Sequence, residues 1–87
     1  MRLKNKIAII TGGTSGIGKA TALRFAEKGA DLVITGRRVS LGKAVEAECS
    51  SMGVRCVFVE ADHSKVEDCQ RVVDVALKEF NRIDIFV

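Results

Sequence analysis

The chain alternates short apolar runs with longer segments whose apolar residues recur at helical spacing. The apolar runs cover residues 6–11, 31–35, 54–61 and 83–87. The first run is apolar without alternation, which is typical of a strand buried on both faces of a parallel sheet. Strands separated by helices of this length predict βαβ units with right-handed crossovers. We therefore expect an α/β fold with four parallel strands.

Each helical segment carries a signal for its start or its end. Gly29 is expected to end the first helix, residues 19–28, in the left-handed conformation. Ser40 is expected to cap the second helix, and Gly53 to end it. Ser64 starts a capping box at the third helix. In that capping box, Glu67 reaches back to Ser64. The apolar stripes expected to face the sheet are Gly18, Ala22, Phe25, Ala26 and Gly29 for the first helix; Leu41, Val45, Cys49 and Met52 for the second; and Val66, Cys69, Val73, Ala76, Leu77 and Phe80 for the third.

A glycine-rich turn, residues 11–18, joins the first strand to the first helix. This order of elements forms an anion site, because the free N–H groups and the dipole of the helix N-terminus favour negative charge. Gly12 permits a tight exit from the strand, Gly16 lets the backbone approach a phosphate, and Gly18 lets the helix lie close to the sheet. The residues of this turn predicted to bind a cofactor are Gly12, Thr14, Ser15, Gly16, Ile17 and Gly18.

Two kinds of nucleotide site fit this turn. The glycines of residues 12–18 are spaced Gly-x-x-x-Gly-x-Gly, a variant of the dinucleotide pattern. Gly13, Gly18 and Lys19 also fit the first part of a P-loop, Gly-x-x-x-x-Gly-Lys. The next position of a P-loop is Ser or Thr, whose hydroxyl binds Mg²⁺, and this chain has Ala20 there. The dinucleotide interpretation is therefore preferred, and the P-loop is the alternative.

The residues that follow the second and third strands are expected to contact the adenosine end of a dinucleotide. In such folds Asp or Glu past the second strand binds the ribose of NAD, whereas Arg accommodates the 2′-phosphate of NADP. Arg37 and Arg38 stand there without a carboxylate, so we expect NADP(H) to be preferred over NAD(H), mainly through Arg37. After the third strand, Asp62 either contacts adenine or supports the turn. His63 is a poor candidate for a catalytic base, since no nucleophile is near it in the pattern.

Together with Thr11, the glycine turn resembles the fingerprint of the short-chain dehydrogenase/reductase family. The resemblance extends over the whole chain, and its other anchors are Gly36-Arg37, Asp62 and residues 83–85. It implies a Rossmann-type doubly wound parallel sheet, here partial, with strand order 3-2-1-4. The first two helices are then expected on one face of the sheet and the third on the other.

The resemblance also implies roles for individual residues. Asp62 is expected to accept a hydrogen bond from the adenine amino group, the His63 N–H to donate to a ring nitrogen, and Asp84 to support the adenine pocket. The family's catalytic Ser and Tyr-x-x-x-Lys lie beyond its fourth strand, and this chain ends at Val87 without any Tyr. No catalytic residue is therefore assigned. We expect residues 1–87 to be the N-terminal dinucleotide-binding half of a single Rossmann domain, with the catalytic half absent.

The whole protein implied by the resemblance is a homo-oligomeric oxidoreductase that moves hydride between NADPH and a small carbonyl or alcohol substrate. A non-catalytic dinucleotide-binding module, such as a sensor or one part of a split protein, is the alternative. The exposed apolar edge expected at the fourth strand favours self-association or poor folding of the chain by itself.

The composition of the chain argues against two kinds of partner, nucleic acid and membranes. The net charge is only +3, and the chain has no Trp or Tyr for base stacking, so nucleic acid is not an expected partner. No apolar run approaches the ~20 residues of a membrane span or the ~7–15 of a signal peptide core. A cytoplasmic location is therefore expected, without membrane contact.

Cys49, Cys56 and Cys69 fit neither a disulfide framework nor a zinc site, and buried reduced thiols are expected.

Overall fold

The computed structural model describes residues 2–14 and 16–87; the predicted binding residue Ser15 therefore lies outside the described residues. Strands and helices alternate along the chain as the apolar pattern predicts. Their bounds are β1 Ile7–Ile10, α1 Gly16–Glu27, β2 Asp31–Gly36, α2 Val39–Ser50, β3 Cys56–Glu60, α3 Val66–Phe80 and β4 Ile85–Phe86.

The four strands form one parallel sheet in the order β3-β2-β1-β4, which confirms the expected Rossmann-type topology. In register, Ile7 lies beside Asp31, Leu32 beside Cys56, and Ala8 beside Ile85. Because all strands run in one direction, their carboxyl ends lie at one edge of the sheet, where the helices begin. The helices end at the opposite edge. Ligands of open α/β sheets bind at the carboxyl edge, where the strand order reverses.

Apolar side chains fill both faces of the sheet. The helices α1 and α2 cover one face and α3 covers the other, as expected for a doubly wound sheet. The strand β2 is buried along its length after its first residue, which explains why its sequence is apolar without alternation. The helical residues buried in the two clusters are Ala22 and Ala26 of α1, Val45 and Cys49 of α2, and Val72 and Ala76 of α3.

The predicted capping residues are wrong in two cases. Ser40 lies inside α2, whose N-cap is Arg38 without a side-chain hydrogen bond. The capping box at α3 does not form, because the N–H and hydroxyl of Ser64 both donate to the nearer carboxylate of Asp62. Such local turns compete with helix caps. Gly29 does end α1 in the left-handed region, with φ +93°, as predicted.

The predicted apolar stripes are partly wrong. Leu41 of α2 and Met52, in the turn after this helix, are 37% and 40% exposed, although they were expected to face the sheet. In α3, Val66 and Leu77 are 82% and 44% exposed, and the buried face instead includes Val72. At ~100° per residue, Leu77 lies about 140° around the helix from Val72, so the two cannot face the sheet together.

The two edges of the sheet differ. At the β3 edge, the Glu46 carboxylate of α2 accepts a hydrogen bond from the Phe58 N–H at 2.7 Å. This backbone group of the edge strand therefore has a partner although no further strand lies beside it. At the β4 edge, Phe86 and Val87 are 57% and 51% exposed, in line with the expected apolar edge. Self-association through this edge stays a prediction.

Candidate functional site

A cleft of about 610 Å³ lies at the carboxyl edge of the sheet. The segments that follow β1, β2 and β3 all contribute to it, so residues distant in sequence meet there. The residues that line it are Gly12, Thr14, Gly36, Arg37, Arg38, Leu41, Ala61, Asp62, His63 and Ser64. Six of the ten predicted binding residues are in this set. The predicted residues Gly16, Ile17 and Gly18, at the end of the glycine turn, form the start of α1 and do not line the cleft.

The glycine turn presses the start of α1 against the end of β1. A Cβ on Gly18 would lie 1.9 Å from the carbonyl oxygen of Gly12, so only glycine allows this approach. Gly12 and Gly16 have φ of +66° and +59°, which L side chains rarely adopt. The N–H of Gly13 donates to the Thr35 carbonyl at 2.9 Å and ties the turn to β2. No acidic residue occupies the first turn of α1, so its N-terminus keeps its positive character.

The end of β2 presents two cations. Arg37 and Arg38 are exposed, and within the described residues their guanidinium groups make no ion pair or hydrogen bond. By contrast, four other arginines each pair with a carboxylate. The helix α2 starts directly afterwards, without a side-chain cap or an acidic residue in its first turn. Gly36 keeps the cleft open here, because a Cβ would lie 2.6 Å from Cγ2 of Thr14.

Asp62 is held in place by its neighbours. Its Oδ1 accepts the Ser64 N–H at 2.9 Å and the Ser64 hydroxyl at 2.7 Å, and its own N–H donates to Asp68 at 2.8 Å. The Ser64 hydrogen bonds, with Arg37 and Lys65 nearby, lower the pKa of Asp62 below its ordinary 3.8. Among the described residues, Asp62 Oδ2 has no donor and the His63 N–H has no acceptor. Within the described chain, an acceptor and a donor without partners therefore belong to two consecutive residues that line the cleft.

The His63 ring makes contacts that the sequence did not indicate. Its Nε2 lies 2.6 Å from Oγ1 of Thr35, and its Nδ1 lies 3.5 Å from Sγ of Cys69. Thr35 is the one fully buried polar residue of the described chain. The sequence pattern could not connect these two residues, because their contact depends on how the loop after β3 packs against β2. Both ring nitrogens of His63 therefore face protein atoms and not the open cleft.

Asp84 does not support the adenine pocket, and that prediction is wrong. Its Oδ2 accepts the Ile7 N–H at 2.9 Å, and its Oδ1 lies 2.6 Å from the Arg82 guanidinium. These contacts lie at the amino ends of the strands, opposite the cleft. The Arg82 hydrogen bond, followed by that of Ile7, lowers the pKa of Asp84 below its ordinary value. Asp84 is therefore part of the structural connection between β1 and β4.

The cysteines are free thiols, as expected, with Cys49 and Cys56 buried and Cys69 half-buried. Burial raises the pKa of Cys49 and Cys56. The described residues contain no group of three or more His, Cys, Asp or Glu side chains that could hold a metal ion. Within residues 2–14 and 16–87, no helix has the length and apolar character needed to cross a membrane.

The strand order and the glycine turn define a Rossmann-type fold. Residues 6–87 match the family model of short chain dehydrogenases. The chain therefore belongs to the short-chain dehydrogenase family. This membership decides against the P-loop interpretation of the glycine turn.

Similar proteins include an uncharacterized oxidoreductase of Listeria monocytogenes, Lmo0432, which is 46% identical over 85 residues. That alignment covers 97% of this chain and 34% of the relative. A hydroxysteroid dehydrogenase from Escherichia coli superposes with a TM-score of 0.94 at 30% identity, over 98% of this chain and 35% of that one. A 7α-hydroxysteroid dehydrogenase complexed with NADH and 7-oxo glycochenodeoxycholic acid gives the same TM-score and identity, over 98% and 33%. This chain thus spans about a third of the length of the relatives it matches.

Proposed function

We propose that residues 1–87 form the adenosine-binding part of an NADP(H) site in an oxidoreductase. The observation that carries this proposal is the pair Arg37 and Arg38, unpaired within the described chain and placed at the uncapped start of α2. They line the same cleft as the glycine turn and Asp62. The whole protein is proposed to transfer hydride between NADPH and a small carbonyl or alcohol substrate, as a cytoplasmic homo-oligomer.

The cleft suggests where each part of the cofactor binds. The pyrophosphate is proposed to lie against residues 12–18, where the positive end of the α1 dipole favours an anion and no acidic residue of the first helical turn opposes it. The adenine is proposed to lie at the loop after β3. There, Oδ2 of Asp62 would accept from the amino group, and the His63 N–H would donate to a ring nitrogen. When bound, NADPH supplies the hydride, and these residues orient its adenosine half.

The choice of NADP(H) over NAD(H) depends on electrostatics at the end of β2. A 2′-phosphate is a dianion that Arg can bind through two parallel hydrogen bonds. A carboxylate at this position would repel it, and none follows β2 directly. A related protein of solved structure is complexed with NADH, so the shared fold does not determine the cofactor. A charge-assisted bond of roughly 1.5–3 kcal/mol corresponds to about a ten- to hundredfold preference.

Calorimetric titration with NADPH, NADH and Mg·ATP tests this proposal, after circular dichroism has established that the chain is folded. We expect NADPH to bind about ten to a hundred times more tightly than NADH. Arg37→Ala should abolish this preference. Arg24→Ala is the matched control, because Arg24 is an exposed arginine of α1 that pairs with Glu27 outside the cleft. Equal affinity for both dinucleotides, binding of Mg·ATP alone, or no binding by the folded chain would contradict the proposal.

A further inference from the structure

The contact between Thr35 and His63 has a consequence for base recognition. We infer that these two side chains are positioning residues that make the cleft selective for adenine over other purines. The inference rests on the proposed cofactor site and adds to it the determinant of base selectivity. Neither side chain is proposed to touch the cofactor: Thr35 is fully buried, and the His63 ring is turned toward Thr35 and Cys69.

Thr35 is held in place through both its backbone and its side chain. It pairs with Val59 in the sheet, and its carbonyl accepts the N–H of Gly13 from the glycine turn at 2.9 Å. Its side chain is 0% exposed, so its hydroxyl must find a partner inside the protein. That partner is Nε2 of His63, at 2.6 Å. The hydroxyl therefore connects the phosphate end of the cleft to its adenine end.

His63 joins the loop of residues 62–65 to β2. Strand pairing ends at Ala61, whose N–H donates to the Gly36 carbonyl at 3.0 Å. Beyond that point, the other hydrogen bonds of the loop stay within it or go to α3, as from Asp62 to Asp68 at 2.8 Å. In the described chain, the Thr35 bond is thus the loop's one hydrogen bond to the central sheet after Ala61.

The loop position matters because base selectivity depends on two adjacent groups. Adenine presents an amino donor beside a ring-nitrogen acceptor, which complements Oδ2 of Asp62 and the N–H of His63. Hypoxanthine presents the opposite pattern, a carbonyl acceptor beside a ring N–H donor, and would meet an acceptor with an acceptor. Hydrogen bonds weaken steeply when distance or angle is poor, so a loop that shifts loses discrimination along with affinity.

The test is the ratio of affinities for NADPH and for its analogue with hypoxanthine in place of adenine. The folded wild-type chain should prefer NADPH by about tenfold or more. Thr35→Val keeps the side-chain shape but removes the hydroxyl, and the ratio should fall to about threefold or less; His63→Ala should do the same. Thr35→Ser restores the hydroxyl and His63→Gln restores a polar atom near Nε2, so both should keep most of the ratio. The preference for NADPH over NADH reports Arg37 and should stay in all four variants.

These titrations can overturn the inference about Thr35 and His63 separately from the proposed function. A folded Thr35→Val chain that keeps the wild-type adenine ratio would overturn the inference, as would a wild-type chain that binds NADPH without discriminating against hypoxanthine. If Thr35→Val does not fold, the comparison of His63→Ala with His63→Gln decides, and equal ratios in those two would overturn it. Failure of the proposed function looks different, because the wild-type chain would then bind neither dinucleotide or show no preference for the 2′-phosphate.

Discussion

The two ends of the sheet carry clefts of similar volume, about 610 Å³ at the carboxyl edge and about 650 Å³ at the amino edge. The helices α1 and α2 begin at the first cleft and end near the second. The positive, N-terminal ends of their dipoles therefore point to the carboxyl edge, and the negative, C-terminal ends point to the amino edge. Lys4 and Lys28 line the amino-edge cleft, where cations complement the negative helix ends. The direction of the backbone, more than the size of a cleft, decides which one suits an anionic cofactor.

The charged groups at the two ends also differ. At the amino edge, the carboxylates of Asp31 and Asp84 accept the backbone N–H groups of Arg55 and Ile7, each at 2.9 Å, and so connect neighbouring strands. At the carboxyl edge, Arg37 stays unpaired in the described chain. Paired charges at one end stabilise the fold, whereas unpaired charges at the other are available to a ligand. Four substitutions, two of them with a matched control, can sharpen or break this comparison.

The largest effect is expected for Gly18→Ala. The new Cβ would lie 1.9 Å from a backbone oxygen that cannot rotate away, so α1 must move from the turn. We expect a loss of about 3 kcal/mol or more in the free energy of unfolding, together with loss of dinucleotide binding. Urea denaturation followed by circular dichroism, with parallel titrations, measures both.

Gly53→Ala at the amino edge is the matched control. A Cβ there meets no described atom within 4 Å, but φ is +91°. Only the cost of the left-handed conformation, about 1–2 kcal/mol, is therefore expected, with cofactor affinity unchanged. Equal losses of binding in the two variants would contradict the distinction between the two ends.

Asp84→Asn is expected to have the next largest effect, on stability alone. Because the pKa of Asp84 is lowered in the folded state, its ionised form stabilises the fold above the ordinary pKa of 3.8. That contribution is lost as the pH falls through the folded-state value. The variant should be less stable than the wild type at pH 7, and the difference should shrink below about pH 4.

Thermal unfolding between pH 7 and pH 2.5 measures this difference. Asp74→Asn, which removes an exposed carboxylate of α3, serves as the control and should not reproduce it. A constant difference between Asp84→Asn and wild type across this range would show that the Asp84 charge does not stabilise the connection between β1 and β4.

The smallest effects are expected for a pair of arginines, one from each end. Arg55 lies 4.8 Å from the ring centroid of Phe80 and pairs with Glu79. Arg55→Ala should lower the free energy of unfolding by about 0.5–1.5 kcal/mol and leave NADPH affinity unchanged. Arg38→Ala should do the reverse, weakening NADPH binding severalfold at constant stability. Chemical denaturation and titration of both variants check this, and a stability loss in Arg38→Ala would contradict it.

Much of the fold could be predicted because its signals are local. Apolar runs mark the strands, Gly29 marks the end of α1, and the glycine turn marks the strand-to-helix junction. The position of Arg37 follows from the end of β2. The capping box was wrong because neighbours compete: Ser64 bonds Asp62 instead of capping α3, and that choice is not visible in residue types.

By itself, the sequence determined the order of elements, the parallel sheet and the glycine turn at the start of α1, because glycine conformation and apolar periodicity act over a few residues. Only the tertiary structure decided which side chains meet across elements. It placed Asp84 at the edge away from the cleft and brought the buried hydroxyl of Thr35 to the ring of His63. Such contacts depend on strand register and on the rotation of each helix against the sheet, which are set by packing of the whole chain.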